Sequence, residues 1–246
     1  MGQRSQILLV IALFAVLVTP SAFAAEGSQA FWLWSGVRPT AALRNADTVY
    51  LHQGDVVVLA GNAVFERKGL PINRMTFPRI WLTVRFTTLD VPDALLLRLT
   101  RLLARWHDAG NAVVGLQIDF DAATHQLEDY AQFLRRVRKS LPSQYALGVT
   151  GLLDWAKTGN VQTLNALPVD ELVVQSYQGR STVDNYTAYL PALSGLRLPF
   201  KLGVVQNGQW NRDEERRIAA SSWYRGTVIF MLNPSRGDGS SPKGYQ

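Results

Sequence analysis

Eight short segments with the composition of β-strands recur along the chain, and most are separated by segments of helical periodicity. Strands that alternate with helices indicate a parallel sheet with crossover helices packed on it. Eight such strands in one domain favour an α/β fold of the compact (β/α)8 type, a TIM-like barrel, over an open sheet. The predicted strands span residues 31–34, 48–51, 80–86, 112–120, 145–150, 171–177, 201–206 and 227–232.

The segments between these strands differ in character. Apolar residues recur at helical spacing over residues 92–107 and 127–141, which predicts two amphipathic helices. No helical pattern follows the second strand; instead, residues 56–66 carry two strand-like runs around a Gly61-Asn62 turn. The sequence therefore predicts a barrel with a β-hairpin insertion after its second strand.

The first 24 residues have the organisation of a secretory signal peptide. Arg4 provides the positive start, residues 7–18 are apolar and uncharged, and Ala22-Phe23-Ala24 provides a small-residue cleavage pattern. The apolar run is shorter than the roughly 20 residues of a spanning helix, so a cleaved signal is a simpler interpretation than the alternative, an uncleaved N-terminal anchor. We therefore expect a signal peptide at 1–24, a barrel domain at 25–234 and a flexible tail at 235–246. The expected location is periplasmic or secreted, with no membrane span after signal cleavage.

Composition and motifs exclude several classes of function. The chain has no cysteine, which rules out disulfides, thiolate metal sites and a cysteine nucleophile, and it has only three histidines. The formal net charge of +6 is scattered, and the densest basic stretch, residues 135–139, falls on a predicted helix where a solvated face is the simpler interpretation. We expect no nucleic-acid partner, no cofactor and no metal. No motif indicates a serine hydrolase or a zinc peptidase, and none indicates an oligomeric state.

The most informative segment is residues 113–121, because side chains alternate along a strand. One face carries Leu116, Ile118 and Phe120 and should pack under helices. The other face carries Gly115, Gln117, Asp119 and Asp121 and should point into the barrel, with both aspartates at the carboxyl end. Barrel enzymes place their catalytic groups at this rim.

The two aspartates are candidates for acid–base chemistry. Two carboxyl groups two residues apart on one strand face repel each other when ionised, and burial adds to this, so the pKa of one should be raised. A protonated carboxyl beside an ionised one can act as acid and orienting group. For Asp121 a helix cap is an equally good explanation, whereas Asp119 lies inside the strand, where capping explains little.

Other polar and aromatic residues are predicted to join this site, each with a structural alternative. Alternation should turn Arg85 inward, near the aspartates, and should place Gln175 and Tyr177 on one face of the sixth strand. Asn207, at the end of the seventh strand, suits hydroxyl recognition or loop hydrogen bonding. Trp34, after the first strand, could stack on a sugar ring or belong to the core.

Some groups remain open from the sequence. His52 follows the second strand, where a hydrogen-bonded structural histidine is a simpler interpretation than a base. Asp154, Asp184 and Asp213 lie beyond later strands, and each could be the second carboxylate of a two-acid glycosidase or merely a helix cap.

The chain resembles two known groups of proteins. The run Leu-Gln-Ile-Asp-Phe-Asp at residues 116–121, the exported start, the Trp-rich first strand and residues 50–54 are similar to an uncharacterised bacterial family, domain of unknown function 3142. More distantly, residues 114–121 resemble the fourth-strand signature of chitinase-type glycoside hydrolases, Asp-Gly-x-Asp-x-Asp-x-Glu. Gly115 and Asp119 match that signature, whereas Val114 and Gln117 replace its first two aspartates.

The second resemblance implies particular roles. Asp121 stands where the chitinase-type family carries its general-acid glutamate, and its side chain is one methylene shorter. Tyr177 matches a tyrosine of that family's Met-x-Tyr-Asp segment, and Gln178 replaces the aspartate that follows it. The resemblance thus supports a related barrel more strongly than it supports chitinase chemistry.

Two hypotheses follow. In the first, an exported, glycoside-hydrolase-like barrel acts on a carbohydrate polymer, with catalytic Asp119, Asp121 and Tyr177 and with substrate-binding Gln117, Arg85, Gln175, Trp34 and Asn207. In the second, the barrel is a non-catalytic carbohydrate-binding or cell-envelope protein. A polysaccharide or other glycan is the expected ligand in both.

Overall fold

A computed structural model describes residues 29–234 of the chain. The predicted signal peptide at 1–24 and the predicted tail at 235–246 lie outside the described residues. The strands are β1 (Ala30–Leu33), β2 (Thr48–Leu59), β3 (Asn62–Arg67), β4 (Ile80–Phe86), β5 (Val113–Asp119), β6 (Ala146–Leu152), β7 (Glu171–Gln175), β8 (Tyr177–Gln178), β9 (Ser181–Thr182), β10 (Phe200–Val205) and β11 (Tyr224–Phe230).

Helices occupy most connections between these strands. The α-helices are α1 (Asp93–Asp108), α2 (Leu127–Ser140), α3 (Trp155–Thr158), α4 (Val161–Asn165) and α5 (Arg212–Ile218). Short 3-10 helices span Ala41–Asn45, Thr124–Gln126, Tyr186–Ala188 and Leu190–Gly195. The two amphipathic helices predicted from the sequence correspond to α1 and α2. The two 3-10 helices within residues 186–195 are separated at Tyr189, and Pro191 lies in the first turn of the second one, where proline is tolerated.

Eight parallel strands close into a barrel in the order β1-β2-β4-β5-β6-β7-β10-β11, because β1 pairs with both β2 and β11. This confirms the predicted TIM-like fold. The antiparallel strand β3 lies outside the barrel on β2, and β8 and β9 form a separate two-stranded sheet.

The predicted hairpin is present, but its first arm is not a separate strand. Strand β2 continues through residue 59, whereas the sequence predicts that this strand ends at residue 51. The register between β2 and β4 shifts between His52 and Gly54, and Gly54 has a φ of 154°. A Cβ atom at Gly54 would lie 2.1 Å from the carbonyl oxygen of Glu66, so the absence of a side chain at Gly54 lets β3 approach β2 closely.

Apolar side chains form two separate clusters, one on each side of the barrel wall. The larger cluster fills the space between strands and helices and includes Leu116 and Ile118, as strand alternation predicts. The smaller cluster lies inside the barrel and contains Trp32, Tyr50 and Trp81. Large aromatic rings thus fill the narrow interior, so the barrel is a packed core and not a pore.

A buried polar cluster lies beside these rings. The Tyr50 hydroxyl donates a hydrogen bond to Glu171, and the Lys201 ammonium lies 3.0 Å from the other Glu171 oxygen and 2.9 Å from the Tyr50 hydroxyl. Each buried polar group in this cluster has a partner, as burial requires.

Substitution of Gly115 by alanine should destabilise the barrel. A Cβ atom there would lie 1.9 Å from the carbonyl oxygen of Ala146 on the adjacent strand β6, where only backbone movement can relieve the overlap. We expect a loss of about 2 kcal/mol in the free energy of unfolding, measured by urea denaturation. Gly195→Ala is the matched control, since its new Cβ would meet only Val161 at 3.5 Å. Equal stability of the two variants would contradict this packing.

Candidate functional site

A cavity of about 390 Å³ opens at the carboxyl ends of several barrel strands. Six of the residues predicted for the site line it. They are Trp34, Arg85, Asp119, Asp121, Gln175 and Tyr177. Strand alternation on β4, β5 and β7 turns Arg85, Asp119 and Gln175 to one rim, which is where TIM barrels carry their active sites. The other three residues follow the carboxyl ends of β1, β5 and β7.

The Asp119 carboxyl group is buried at the bottom of this arrangement, with 6% of the residue exposed. Its Oδ1 atom accepts hydrogen bonds from the Thr150 hydroxyl at 2.7 Å and from the Gln175 amide at 3.3 Å. Burial raises the pKa of Asp119 to about 6, and the neighbouring Asp121 charge adds to the increase. The Thr150 and Gln175 hydrogen bonds and the Arg85 charge act in the opposite direction.

Asp121 lies in a different environment. Its side chain is 54% exposed, and one oxygen lies 3.8 Å from the Arg85 guanidinium group. Arg85 is itself half exposed and sits opposite Asp119 in the register between β4 and β5. The same strand face therefore presents one buried carboxyl group with a raised pKa and one solvent-exposed carboxylate beside a positive charge.

Aromatic rings form an apolar wall of the cavity. Tyr177 stacks on Phe230 with ring centroids 4.9 Å apart, and Trp34 lies 6.3 Å from Phe230. Burial raises the pKa of Tyr177 well above its ordinary value, and the charges of Asp119 and Asp121 contribute further. The Tyr177 hydroxyl is therefore a proton-bearing hydrogen-bond donor at physiological pH.

Two predicted site residues lie elsewhere. Gln117 is buried and accepts a hydrogen bond from the Thr83 hydroxyl at 2.9 Å, one step deeper in the barrel than Asp119. Asn207 lines a separate cleft of about 520 Å³ together with residues 180–187. Its φ of 60° places it in a left-handed turn just after β10, which turns the chain away from the cavity.

The structure also places residues at the cavity that the sequence analysis did not select. Phe230 lines the cavity, and alternation on β11 could have indicated it, since Val228 and Phe230 share the inward face. Arg180 lines it as well, and donates a hydrogen bond to the carbonyl of Asn233 at 2.9 Å. Arg180 comes from the loop between β8 and β9, which no strand pattern locates.

No third acidic residue from the described part of the chain lines this cavity. Asp184 faces the cleft that contains Asn207, and Asp213 forms an ion pair with Arg216 on the exposed helix α5. Asp154 precedes α3, where its backbone carbonyl accepts the hydrogen bonds of Lys157 and Thr158. A second carboxylate facing Asp121 from another strand is thus not provided by these three residues.

Comparisons with known proteins support the predicted fold. At the level of sequence they support one of the two resemblances, the one to domain of unknown function 3142. The family described as "Domain of unknown function (DUF3142)" matches residues 74–186, which confirms the resemblance to that family over β4 to the loop after β9. The Trp-rich first strand and residues 50–54 lie outside the matched segment. No curated protein matches the chain.

Several solved structures share the architecture. The xylanase and alpha-amylase inhibitor protein XAIP-II from Scadoxus multiflorus is 15% identical with a TM-score of 0.55, covering 82% of this chain and 93% of its own. The xylanase-alpha-amylase inhibitor protein XAIP-I in complex with trehalose is 14% identical with a TM-score of 0.52, covering 83% and 93%. The chitinase domain of the spore coat protein CotE from Clostridium difficile is 12% identical with a TM-score of 0.47, covering 76% and 68%. At these identities the likeness to the two inhibitor proteins, whose TM-scores exceed 0.5, establishes the fold alone.

Within residues 29–234, none of the helices combines the length and the apolar character that crossing a membrane requires.

The ionisation of Asp119 should reduce the stability of the fold. The pKa of Asp119 is raised from an ordinary 3.8 to about 6 in the folded protein, so the folded state holds its proton more tightly than the unfolded state. The stabilising effect of that proton is complete below pH 3.8 and is lost as the pH rises through 6, at a cost of about 3 kcal/mol.

The Asp119→Asn variant removes this titration while keeping an oxygen for Thr150 and Gln175. We expect the free energy of unfolding of the unmodified protein to fall by about 3 kcal/mol relative to Asp119→Asn between about pH 3 and pH 8. Urea denaturation across that range measures it. The exposed Asp129→Asn variant should run parallel to the unmodified protein, and a parallel curve for Asp119→Asn would refute the argument.

Proposed function

We propose that the protein is exported and acts on a carbohydrate polymer, which it binds in the strand-end cavity and cleaves with help from the Asp119–Asp121 pair. One observation carries this proposal: two carboxyl groups on a single strand face, in contrasting environments, meet at an open cavity of a barrel. Paired titratable groups whose environments separate their pKa values are typical of acid–base sites.

The lining of the cavity suits a sugar. The half-buried Trp34 ring, which stacks on His52 on one face, and the Tyr177–Phe230 stack both line the cavity with apolar surface. Sugar rings also have apolar faces. Around them, Arg85, Asp121 and the Tyr177 hydroxyl provide donors and acceptors for sugar hydroxyl groups. A few convergent polar groups on a largely apolar wall are typical of small-ligand sites.

The chemistry assigns different tasks to the two aspartates. Asp119, with a pKa of about 6, retains a proton in mildly acidic solution but is buried. Asp121 is exposed at the cavity mouth, where its carboxylate can take the proton from Asp119 and pass it to a glycosidic oxygen. Because no other acid lines the cavity among the described residues, the attacking group is water or a group of the substrate itself, as in substrate-assisted glycosidases.

A second candidate function is carbohydrate binding without cleavage. The lack of an opposing acid among the described residues favours it, as does the ion pair that holds Asp121 beside Arg85. In this interpretation the aspartates accept hydrogen bonds from sugar hydroxyls. Two solved structures with TM-scores above 0.5 are named as inhibitor proteins, one of them in complex with trehalose, and this is compatible with such a role.

Binding and product analysis on a panel of soluble glycans distinguish these functions. Chitin, xylan and peptidoglycan oligosaccharides are incubated with the unmodified protein and with Asp119→Asn, Asp121→Asn and Asp129→Asn. We expect cleavage of at least one glycan, reduced at least 100-fold by Asp121→Asn and by Asp119→Asn because each removes a proton carrier, on the order expected for general acids. Asp129 is exposed on α2, so its variant should retain full activity.

Three other outcomes of this experiment would contradict the proposed hydrolase. Binding of a glycan without any cleavage product would contradict the proposed hydrolase and support the non-catalytic binding protein. Cleavage that persists in both aspartate variants would place the reaction elsewhere. Neither binding nor cleavage across the panel would overturn the proposed carbohydrate function.

Export is tested separately. The full chain expressed in a Gram-negative host should appear in the periplasmic fraction with Ala25 as its first residue, since cleavage is expected after Ala24. Amino-terminal sequencing of the purified protein measures this. A protein that retains residues 1–24, in the cytoplasm or in the membrane, would contradict export by a cleaved signal peptide.

A further inference from the structure

A second group of reactive side chains lies beside the strand-end cavity, at the end of β1. The Ser35 Oγ atom lies 2.5 Å from the Nδ1 atom of His52, and the His52 Nε2 atom lies 2.8 Å from an oxygen of Asp55. The other Asp55 oxygen lies 2.5 Å from the Lys68 ammonium group. A hydroxyl, an imidazole and a carboxylate thus follow one another at hydrogen-bond distance, which is the arrangement of an activated nucleophile.

The protonation states suit that arrangement. Burial lowers the pKa of His52, although the Asp55 hydrogen bond and charge oppose this, so the imidazole is neutral at physiological pH. Burial acts to raise the pKa of Asp55, but hydrogen bonds from Lys68 and His52 outweigh it and the net change is downward. The ionised Asp55 therefore accepts the Nε2–H hydrogen bond, which leaves Nδ1 free to accept the Ser35 proton.

The backbone holds these groups in place. The bulge at Gly54 lets Asp55 reach the imidazole from only three residues along β2. Ser35 lies in a tight turn in which the Val37 N–H donates to the Trp34 carbonyl at 3.0 Å, with Gly36 at a φ of 82°. The Asn233 side chain donates to the Gly36 carbonyl at 2.8 Å and so ties the turn to the end of β11.

A small cavity of about 130 Å³ adjoins Ser35 and His52. Leu33, Leu51 and Leu70 contribute apolar lining to it. Its volume is well below the roughly 300 Å³ at which ligand pockets for drug-sized molecules begin, so it suits a group of a few heavy atoms. Trp34 lines this cavity and the strand-end cavity alike, and its ring stacks on His52 at 3.7 Å with an interplanar angle of 5°.

We propose that Ser35, His52 and Asp55 form a second hydrolytic site that removes short acyl groups, of acetyl size, from ester-linked oxygen. The Ser35 oxygen bonds to the ester carbonyl carbon as its proton passes to His52 Nδ1. The alkoxide leaves with that proton as the C–O bond breaks. Water, deprotonated by His52, then releases the acid from Ser35 and restores the serine hydroxyl.

Two further features fit this assignment. Among the described residues, none accepts a hydrogen bond from the N–H of Gly36, the residue that follows the nucleophile and commonly stabilises the oxyanion in hydrolases. The Trp34 ring, parallel to the imidazole, stabilises the imidazolium that forms when Ser35 is deprotonated. In the chymotrypsin triad Nε2 of the histidine faces the serine and Nδ1 faces the carboxylate. Here Nδ1 of His52 faces Ser35 and Nε2 faces Asp55, and either imidazole nitrogen can act as base.

The site does not depend on glycan cleavage, so its test is independent of the proposed function. The protein is incubated with a fluorophosphonate probe, which phosphonylates activated serines, and the labelled residue is located by mass spectrometry. Hydrolysis of p-nitrophenyl acetate is measured in parallel for the unmodified protein and for Ser35→Ala, Asp55→Asn and Ser140→Ala. Ser140 is the matched control, a partly exposed serine whose hydroxyl donates only to a backbone carbonyl.

We expect the label on Ser35, and we expect Ser35→Ala to lose the label and at least 100-fold of the acetate-hydrolysis rate. Asp55→Asn should reduce both, and Ser140→Ala should change neither. Because Ser35→Ala deletes one oxygen in a turn, unchanged circular dichroism would show that the variant is folded. Absence of label from Ser35 in the unmodified protein, or a wild-type rate in Ser35→Ala, would contradict the proposal. The contacts among Ser35, His52 and Asp55 would then have only a structural role.

Discussion

When eight parallel strands close into one barrel, every second side chain of each strand points into a single narrow interior. That constraint accounts for most of what surrounds the candidate site. Trp32 and Trp81 fill the middle, and the Tyr50–Glu171–Lys201 cluster satisfies its own buried charges nearby. The interior is therefore closed, and the next inward-facing layer, which includes Asp119, becomes the floor of a cavity at the carboxyl end.

The same geometry gives the two aspartates different electrostatic environments. Asp119 is the last residue of β5 and remains inside the barrel, whereas Asp121 lies two residues further on, in solvent beside Arg85. The sequence predicts Asp121 as the acid and Asp119 as its partner. The structure attributes the raised pKa to Asp119, with burial as the principal cause and the charge of Asp121 as a smaller one.

Strand alternation and helical periodicity predict the barrel, and alternation predicts five of the six residues at the cavity, Trp34 being the exception. Both patterns depend on local spacing alone. Local spacing fails where a side chain's position depends on contacts made elsewhere. Asn207 follows a strand end as expected, but its left-handed turn takes it to another cleft. His52 was expected to be structural, and only the Gly54 bulge, which no pattern revealed, brings Asp55 to its imidazole.

The pKa of Asp119 tests the central claim most directly, since the proposed chemistry requires this carboxyl group to hold a proton at the cavity. Carboxyl-carbon NMR of protein labelled at aspartate follows its titration, with Asp119→Asn for assignment and Asp121→Asn to remove the neighbouring charge. We predict a midpoint at about 6 that falls in Asp121→Asn and changes when a glycan oligosaccharide binds. A midpoint at the ordinary aspartate value of 3.8, unchanged by either, would contradict it.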